Sequence, residues 1–412
     1  MLTTHRQTIF ETLGRHPVHP FPARMAPGIA LDALRNSRRR LTVLDPMSGS
    51  GTVLAVAQAN GHRALGVDVD PLAVLMARVW TRPVDVKSST ATAERVLARA
   101  RAIFKRETSG SAYPANSDME TNAFIRYWFD DYARRQLAAL SAAIARVRDQ
   151  SVREVLWCAF SRLIITKQAG ASRAMDLSHS RPHRVFARAL IKPFNRFLAA
   201  VAVVVANCPK GDGKQAVSGT KVQPGDARQL GINSGSIDLV LTSPPYLNAI
   251  DYLRCSKFSL VWMGYTIDQL RTIRAGSVGT EASSREAKEA PEIQKVVQQL
   301  KITPKLSARN HALVCTYALD MDRSVGEVSR VLKRGGRAVY VVGESLIKGS
   351  YIRNSALVCA AARRHGLTLE SRHSRALPAN RRYLPPPVTG GSTDAKMNWR
   401  MRREVVVVFR KR

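Results

Sequence analysis

The segment with the clearest chemical potential is Asp238–Tyr246, which reads DLVLTSPPY. Its first half is an apolar run typical of a buried strand, and two prolines directly after a strand cannot continue its hydrogen bonding. They leave the carbonyl groups of Ser243 and Pro244 pointing in a set direction, and Tyr246 adds a flat aromatic face. Hydrogen-bond acceptors beside a stacking surface are what an aromatic amine needs for binding. The alternative is a Pro-Pro turn that ends a strand, followed by an incidental tyrosine.

A second candidate site lies in Leu44–Thr52, which reads LDPMSGSGT and leads into the helix-like segment VLAVAQAN. Glycines allow the backbone to approach a ligand closely, and the N-terminus of the helix offers unpaired N–H groups. Such a turn by itself also suits the pyrophosphate of a dinucleotide. However, this GxG lacks the third glycine of the Rossmann fingerprint at the expected place.

Acidic residues follow the next two predicted elements. In Gly66–Pro71, GVDVDP, Asp68 lies at the carboxyl end of a strand about 20 residues after the glycine turn, where it can accept hydrogen bonds from ribose hydroxyls. Asp70 is predicted to cap the helix that begins at Pro71. Asp226, in the turn PGDA, is a candidate acceptor for an adenine amino group, and a plain turn residue is an equal alternative.

The elements that must position these residues follow the pattern of a parallel sheet with crossover helices, in which short apolar runs end at Asp, Gly or Pro and lead into helices. The sequence therefore predicts an α/β class, a doubly wound Rossmann-like sheet. The C-terminal run is predicted to be a last strand that closes the sheet. The predicted strands are 41–44, 64–67, 237–241, 338–342 after a Gly335-Gly336 turn, and 404–409.

A long segment, 87–220, has apolar residues at helical spacing and is predicted to be a large helical insertion. Its most apolar stretch, 197–208, is predicted to be a buried helix, and its Gly- and Lys-rich tail, 211–225, an exposed connector. The polar stretch 271–310 is predicted to be a mobile loop with a short helix near 291–300. We expect three parts: a cofactor-binding half at 1–86, the insertion at 87–220 as candidate DNA-recognition region, and a catalytic half at 221–412.

The composition indicates which classes of binding partner the protein has. The formal net charge of +33 favours a polyanion, first nucleic acid and second an anionic membrane surface. The longest apolar stretch is too short to cross a bilayer, and the N-terminus lacks the apolar run of a signal peptide. Five scattered cysteines without a CxxC pair fit reduced intracellular thiols and no zinc site. We therefore expect a cytoplasmic, nucleoid-associated protein with no membrane and no metal.

Taken together, the motifs resemble the amino-methyltransferase family of DNA-modifying enzymes, whose members act on cytosine N4 or adenine N6. The resemblance covers about two thirds of the chain. It rests on DPMSGSGT at 45–52, SPPY at 243–246, HPFPAR at 19–24, the segment from DYLR at 251–254 to WMG at 262–264, and RVLKRGG at 330–336.

The resemblance implies S-adenosyl-L-methionine as cofactor and double-stranded DNA as partner. Family motifs that begin with Ser belong mostly to cytosine-N4 enzymes, which makes cytosine N4 the favoured target and leaves adenine N6 open. The implied base-binding and catalytic residues are Ser243, Pro244, Pro245 and Tyr246. The implied cofactor-binding residues are Phe21, Asp45, Pro46, Ser48, Gly49, Ser50, Gly51, Thr52, Asp68 and Asp226.

Base recognition is expected from the insertion, from the 271–310 stretch, or from both. Small, polar and basic residues interrupt the helical pattern near 168–184 and can meet phosphates or base edges, although a solvated basic loop is an equal alternative. The candidates are Ser172, Arg173, His179, Arg181, His183 and Arg184. The two histidines are spaced like metal ligands, but Pro182 lies between them and no acidic partner is obvious, so no metal is expected.

Three other functions are alternatives to this interpretation. An RNA base methyltransferase should carry an RNA-binding module, and none is recognisable. A non-catalytic DNA-binding protein on a methyltransferase scaffold would have no use for the glycine turn, Asp68 and SPPY together. A cytosine-C5 enzyme would need a Pro-Cys nucleophile, and that dipeptide does not occur.

Overall fold

The computed structural model describes most of the chain. The described residues are 7–21, 24–35, 37, 39–106, 112–177, 182–210, 219–247, 251–280, 284–300, 306–347, 350–376 and 403–412. They contain a mixed sheet of seven strands together with many helices, which confirms the predicted α/β, Rossmann-like class.

The chain forms two compact units. The first unit comprises Met1–Arg35, Ser48–Pro224 and Asp251–Arg274, and the second comprises Asn36–Met47, Gly225–Ile250 and Ala275–Arg412. The assignment of cofactor binding, DNA recognition and catalysis to segments 1–86, 87–220 and 221–412 stays a prediction.

Helices dominate the first unit. Its elements are α1 (Ile9–Leu13), α2 (Pro27–Leu34), α3 (Thr52–Ala59), β2 (Arg63–Asp68), α4 (Pro71–Thr81), α5 (Val86–Arg106), α6 (Met119–Trp128), α7 (Asp131–Ala145), α8 (Gln150–Ile164), α9 (Pro193–Ala206), β3 (Thr220–Pro224), α10 (Leu253–Leu260), a 3-10 turn (Val261–Met263) and α11 (Ile267–Ala275). Strands β2 and β3 pair in parallel.

The predicted helical insertion is present as α5 to α9. Its helices pack in one apolar core with α4, and that core includes the buried side chains of Trp80, Leu97, Leu137, Phe160 and Phe197. The helix predicted at 197–208 is amphipathic, because Leu198 and Val203 on its other face are exposed. The connector predicted at 211–225 was wrong for 220–224, which form β3; residues 211–218 lie outside the described residues.

Strands dominate the second unit. Its elements are β1 (Thr42–Asp45), β4 (Ile237–Thr242), α12 (Arg285–Glu289), α13 (Pro291–Gln299), α14 (Ala308–Val331), β5 (Leu332–Gly343), β6 (Ser345–Ile347), β7 (Ser350–Ile352), α15 (Asn354–Arg364), β8 (Leu367–Ala376) and β9 (Arg403–Lys411). Strands β1, β4 and β5 run parallel, and β9 pairs antiparallel with both β5 and β8.

Three sequence predictions for the C-terminal part of the chain need correction. The C-terminal run is a strand, but β9 lies between β5 and β8 and does not close the sheet. Its residues 404–409 are all buried, and such a continuous buried run suits an interior strand. The Gly335-Gly336 turn lies within β5, where Gly335 has φ +73° and the pairing with β4 shifts register. The stretch predicted as a loop at 271–310 is mostly helical where it is described; its predicted short helix is confirmed as α13.

Candidate functional site

The glycine turn of the first unit is held by the end of β2. The two carboxylate oxygens of Asp68 accept the N–H groups of Gly49 (2.7 Å) and Asp70 (2.9 Å). The N–H of Ser48 donates to the carbonyl of Val67 at 2.9 Å. Gly49 and Gly51 have φ of +49° and +88°, a left-handed conformation that favours glycine. The predicted turn and the predicted acidic residue are therefore in direct contact.

The turn also contains a buried polar group without a hydrogen-bond partner among the described residues. The hydroxyl of Ser48 is buried and has no hydrogen-bond partner among the described residues. Helix α3 begins directly after Gly51, which has no side chain to cap it. A buried hydroxyl without a partner is costly, so this turn fits a polar ligand better than an apolar one.

The segment HPFPAR meets this turn. The Phe21 ring lies 3.2 Å from the place that a Cβ on Gly49 would occupy, and it stacks on Tyr252 with ring centroids 5.3 Å apart and an interplanar angle of 2°. The Nε of Arg24 donates to the hydroxyl of Ser50 at 3.0 Å. The aromatic pair thus stands beside the glycine backbone, where a flat ligand group can stack.

A buried histidine anchors the same segment. Burial lowers the pKa of His19 to about 3, so its ring is neutral at physiological pH. Its Nδ1 lies 2.7 Å from the carbonyl of Pro20, which can only accept, so Nδ1 carries the proton. Nε2 lies 2.8 Å from the hydroxyl of Ser161 on α8.

Asp70 has the capping role predicted for it. Its carboxylate accepts the N–H of Leu72 at 2.8 Å at the start of α4, and Pro71 occupies the first turn. The other carboxylate oxygen accepts the hydroxyl of Ser256 on α10 at 2.6 Å. Asp70 therefore ties the helix after SPPY to the loop after β2, a connection that the sequence pattern did not indicate.

In the second unit, the strand ends of β1 and β4 lie side by side. Leu44 pairs with Val240, and beyond this pair the hydroxyl of Thr242 donates to the carboxylate of Asp45 at 2.8 Å. Both side chains are buried. The carboxyl ends of neighbouring parallel strands are the usual place for a ligand crevice in this fold class. Thr242 was missed by sequence reasoning because its partner is distant in the chain.

The candidate catalytic turn, Ser243–Tyr246, follows directly after β4. The hydroxyl of Ser243 donates its proton to the carbonyl of Val341 at 3.0 Å, so its remaining hydrogen-bonding capacity is as an acceptor. The hydroxyl of Tyr246 lies 3.4 Å from that of Ser243, and the Tyr246 ring is partly exposed. An acceptor oxygen and an aromatic face thus stand within one short turn, as the sequence predicts.

Asp226 is already engaged by an arginine. Its carboxylate accepts from Nε and Nη2 of Arg228, at distances of 2.7 to 3.1 Å. Its contact with a cofactor adenine stays a prediction.

The candidate DNA-contacting residues occupy different environments. Ser172 is fully buried and accepts the N–H of Ala174, whereas Arg173 donates to the carbonyl of Tyr127 at 3.3 Å. His183 and Arg184 are exposed, and Arg184 lies over the Tyr127 ring. His179 and Arg181 lie outside the described residues. A DNA-binding role for these residues stays a prediction.

Two features are absent from the described residues. No group of three or more His, Cys, Asp or Glu side chains within the described ranges could hold a metal ion. In the same ranges, no helix combines the length and the apolar character that crossing a bilayer requires.

The ribose contact predicted for Asp68 would make cofactor binding depend on pH. Burial raises its pKa to about 7, and the charge of Asp70 adds to the shift. Ribose hydroxyls donate to a carboxylate, so only deprotonated Asp68 offers its full acceptor capacity, and affinity for S-adenosylmethionine should rise about tenfold from about pH 6 to about pH 8. Calorimetric titration at these pH values measures this rise.

The variant Asp68→Asn is the control for this titration. The amino group of S-adenosylmethionine ionises in the same range, and the variant reports that background alone. A wild-type slope equal to that of Asp68→Asn would refute the role of Asp68.

Comparisons with known proteins agree with the motifs. No family model matches the chain. The Type II methyltransferase M.MvaI of Kocuria varians is 22% identical over 366 residues, which cover 81% of this chain and 77% of that protein. This relative supports the methyltransferase family that the motifs predict.

The solved structures that resemble this chain have low TM-scores and low sequence identity. A TehB-like SAM-dependent methyltransferase from Corynebacterium glutamicum has a TM-score of 0.30 and 12% identity, covering 94% of this chain and 87% of that one. A protein assigned as a DNA modification methylase from Thermus thermophilus has a TM-score of 0.23 and 16% identity, covering 45% of this chain and 50% of that one. TM-scores this low carry no structural argument.

Proposed function

We propose that this protein is an S-adenosylmethionine-dependent DNA methyltransferase that methylates the N4 amino group of cytosine. The observation that carries the proposal is the turn after β4, where the acceptor oxygen of Ser243 and the ring of Tyr246 follow a Thr242–Asp45 hydrogen bond at the adjoining strand ends. This arrangement suits a planar amine better than a hydroxyl or a phosphate, because it combines acceptors with a stacking face.

The residues of the glycine turn fit the proposed cofactor. Asp68 would accept from the ribose hydroxyls, the buried Ser48 hydroxyl would gain a partner, and Phe21 would stack beside the Gly49 backbone. Bound there, S-adenosylmethionine supplies an electrophilic methyl group.

The chain's own residues would bind and orient the target base. Because an amino group inside a stacked duplex is inaccessible, the nucleotide must be extruded into the site. The Ser243 oxygen and the Pro244 carbonyl would then accept the two amine N–H bonds, which directs the nitrogen lone pair away from them. Tyr246 would hold the ring by stacking. Catalysis of this kind rests on positioning and needs no covalent intermediate.

DNA as substrate is supported by the net charge of +33, because phosphate contacts from Lys and Arg supply much of the affinity for nucleic acids. Cytosine N4 is preferred to adenine N6 because the motif begins with Ser243 and not with Asp or Asn. Adenine N6 methylation is the second candidate, since the same acceptors and ring suit that amine.

One experiment tests both levels of the proposal. Expression in a host that lacks DNA methylation, followed by nuclease digestion and mass spectrometry of the nucleosides, should reveal N4-methylcytosine. N6-methyladenine would support the function and refute the preferred base. Absence of any methylated base, together with DNA binding by the purified protein, would instead favour the non-catalytic alternative.

A further inference from the structure

Residues 316–320 of α14 contact the candidate catalytic turn directly, and also through Arg228 and the chain segment after α11. The most direct contact comes from Tyr317, whose hydroxyl donates to the carbonyl of Pro245 at 3.1 Å. The Tyr317 side chain is buried, with 1% of its surface exposed, and Pro245 is half-buried. The accepting carbonyl belongs to the peptide that joins Pro245 to Tyr246. The hydrogen bond from Tyr317 therefore restricts the orientation of this peptide plane, to which the Tyr246 side chain is attached.

One helical turn further along, Asp320 makes an indirect connection. Its buried carboxylate accepts from Nη1 of Arg228 at 2.6 Å. The same guanidinium donates through Nη2 to the carbonyl of Gly276 and to Asp226. Arg228 thus joins α14 to the chain segment that follows α11.

That segment packs on the catalytic turn. Gly279 has φ +77°, and a Cβ placed on it would lie 3.6 Å from both the Pro245 Cβ and the Tyr246 carbonyl oxygen. Shortly after it, the N–H of Ser284 donates to the hydroxyl of Thr316 on α14 at 2.9 Å. Gly276 is therefore connected to α14 through Arg228, and Ser284 is bonded to α14 directly. Between them in the chain, Gly279 lies beside the Pro245–Tyr246 peptide.

From these contacts we propose that Tyr317, together with the Arg228–Asp320 pair, positions the catalytic turn for methyl transfer. Tyr317 acts directly on the Pro245–Tyr246 peptide, and Arg228 acts through the Gly276–Gly279 segment. The three residues act as positioning residues that restrict the orientation of the Tyr246 ring. The inference rests on the proposed function, since the rate of methyl transfer is its readout.

The test compares two buried tyrosines of the same unit. Tyr317→Phe removes only the hydroxyl that holds Pro245, and we expect the single-turnover rate of methyl transfer at saturating DNA and S-adenosylmethionine to fall about fivefold to tenfold, the scale of one hydrogen bond. Tyr340→Phe is the matched control, because the Tyr340 hydroxyl is buried without a partner among the described residues. Its rate should match that of the wild type, and S-adenosylmethionine affinity should be unchanged in both variants.

A second variant tests the indirect connection. Arg228→Lys keeps the positive charge but removes the planar guanidinium group, whose nitrogens donate to Asp320, Asp226 and Gly276. We expect a similar fall in the rate of methyl transfer. In the double variant with Tyr317→Phe, the fall should be smaller than the product of the two single effects, because both residues act on the same peptide.

The outcomes are distinct. If the wild-type protein transfers no methyl group, the proposed function itself fails. If the wild type is active and Tyr317→Phe transfers at the wild-type rate, or loses no more than Tyr340→Phe, the positioning role is refuted. Should Tyr317→Phe fail to fold, Arg228→Lys decides alone: a wild-type rate in that variant overturns the proposal.

Discussion

Replacing Ser243 with alanine is expected to lower the rate of methyl transfer to DNA about a hundredfold, the scale of one positioned hydrogen-bonding group in catalysis. The Ser243 hydroxyl is oriented by its bond to Val341 and offers only acceptor capacity toward the turn. Without it, one N–H of the target amine loses its partner and the nitrogen lone pair is no longer aimed. The measurement is the single-turnover rate with labelled S-adenosylmethionine.

Binding measurements separate this effect from a general loss of structure. S-adenosylmethionine affinity should be unchanged in Ser243→Ala, because Ser243 is not among the predicted cofactor contacts. Ser371→Ala, the same substitution at an exposed position of β8, is the matched control and should be fully active. A Ser243→Ala protein as active as Ser371→Ala would show that this hydroxyl does not orient the amine.

Replacing Gly51 with alanine should give the second large effect, here on stability. Gly51 has φ +88°, and a Cβ built on it would lie 2.9 Å from the Ala77 Cβ and 3.0 Å from the Ala77 Cα. The left-handed conformation costs about 1–2 kcal/mol with a side chain, and overpacking against α4 costs about 1–3 kcal/mol more. We expect the free energy of unfolding in urea to fall by about 2–5 kcal/mol.

Gly61 supplies the matched control. Its φ is +77°, but nothing lies within 4 Å of the place that its Cβ would occupy. Gly61→Ala should therefore lower the free energy of unfolding by the conformational cost alone, about 1–2 kcal/mol. Equal losses in the two variants would mean that the close approach of Gly51 to Ala77 has no energetic weight.

Local sequence signals determined several features of this protein. The Asp70 cap is one, because a capping side chain bonds to a backbone only two residues away. Strands β1, β2 and β4, the helices of the insertion and the turns that end the strands are others, since periodicity and turn residues act over short distances. The place of Asp68 at the carboxyl end of β2 also followed from the spacing of one β-turn-α-β unit, whereas its bond to Gly49 did not.

Only the tertiary structure decided the contacts between distant segments. Tyr317 lies 72 residues from Pro245, and Asp320 lies 92 residues from Arg228, and nothing in the periodicity of α14 marks which of its buried positions faces the catalytic turn. The interior place of β9 likewise depends on pairing with two strands at once. Apolar spacing specifies that a face is buried, whereas the partner of that face is set by packing across the whole fold. The contacts of the candidate catalytic turn with α14 depend on that packing.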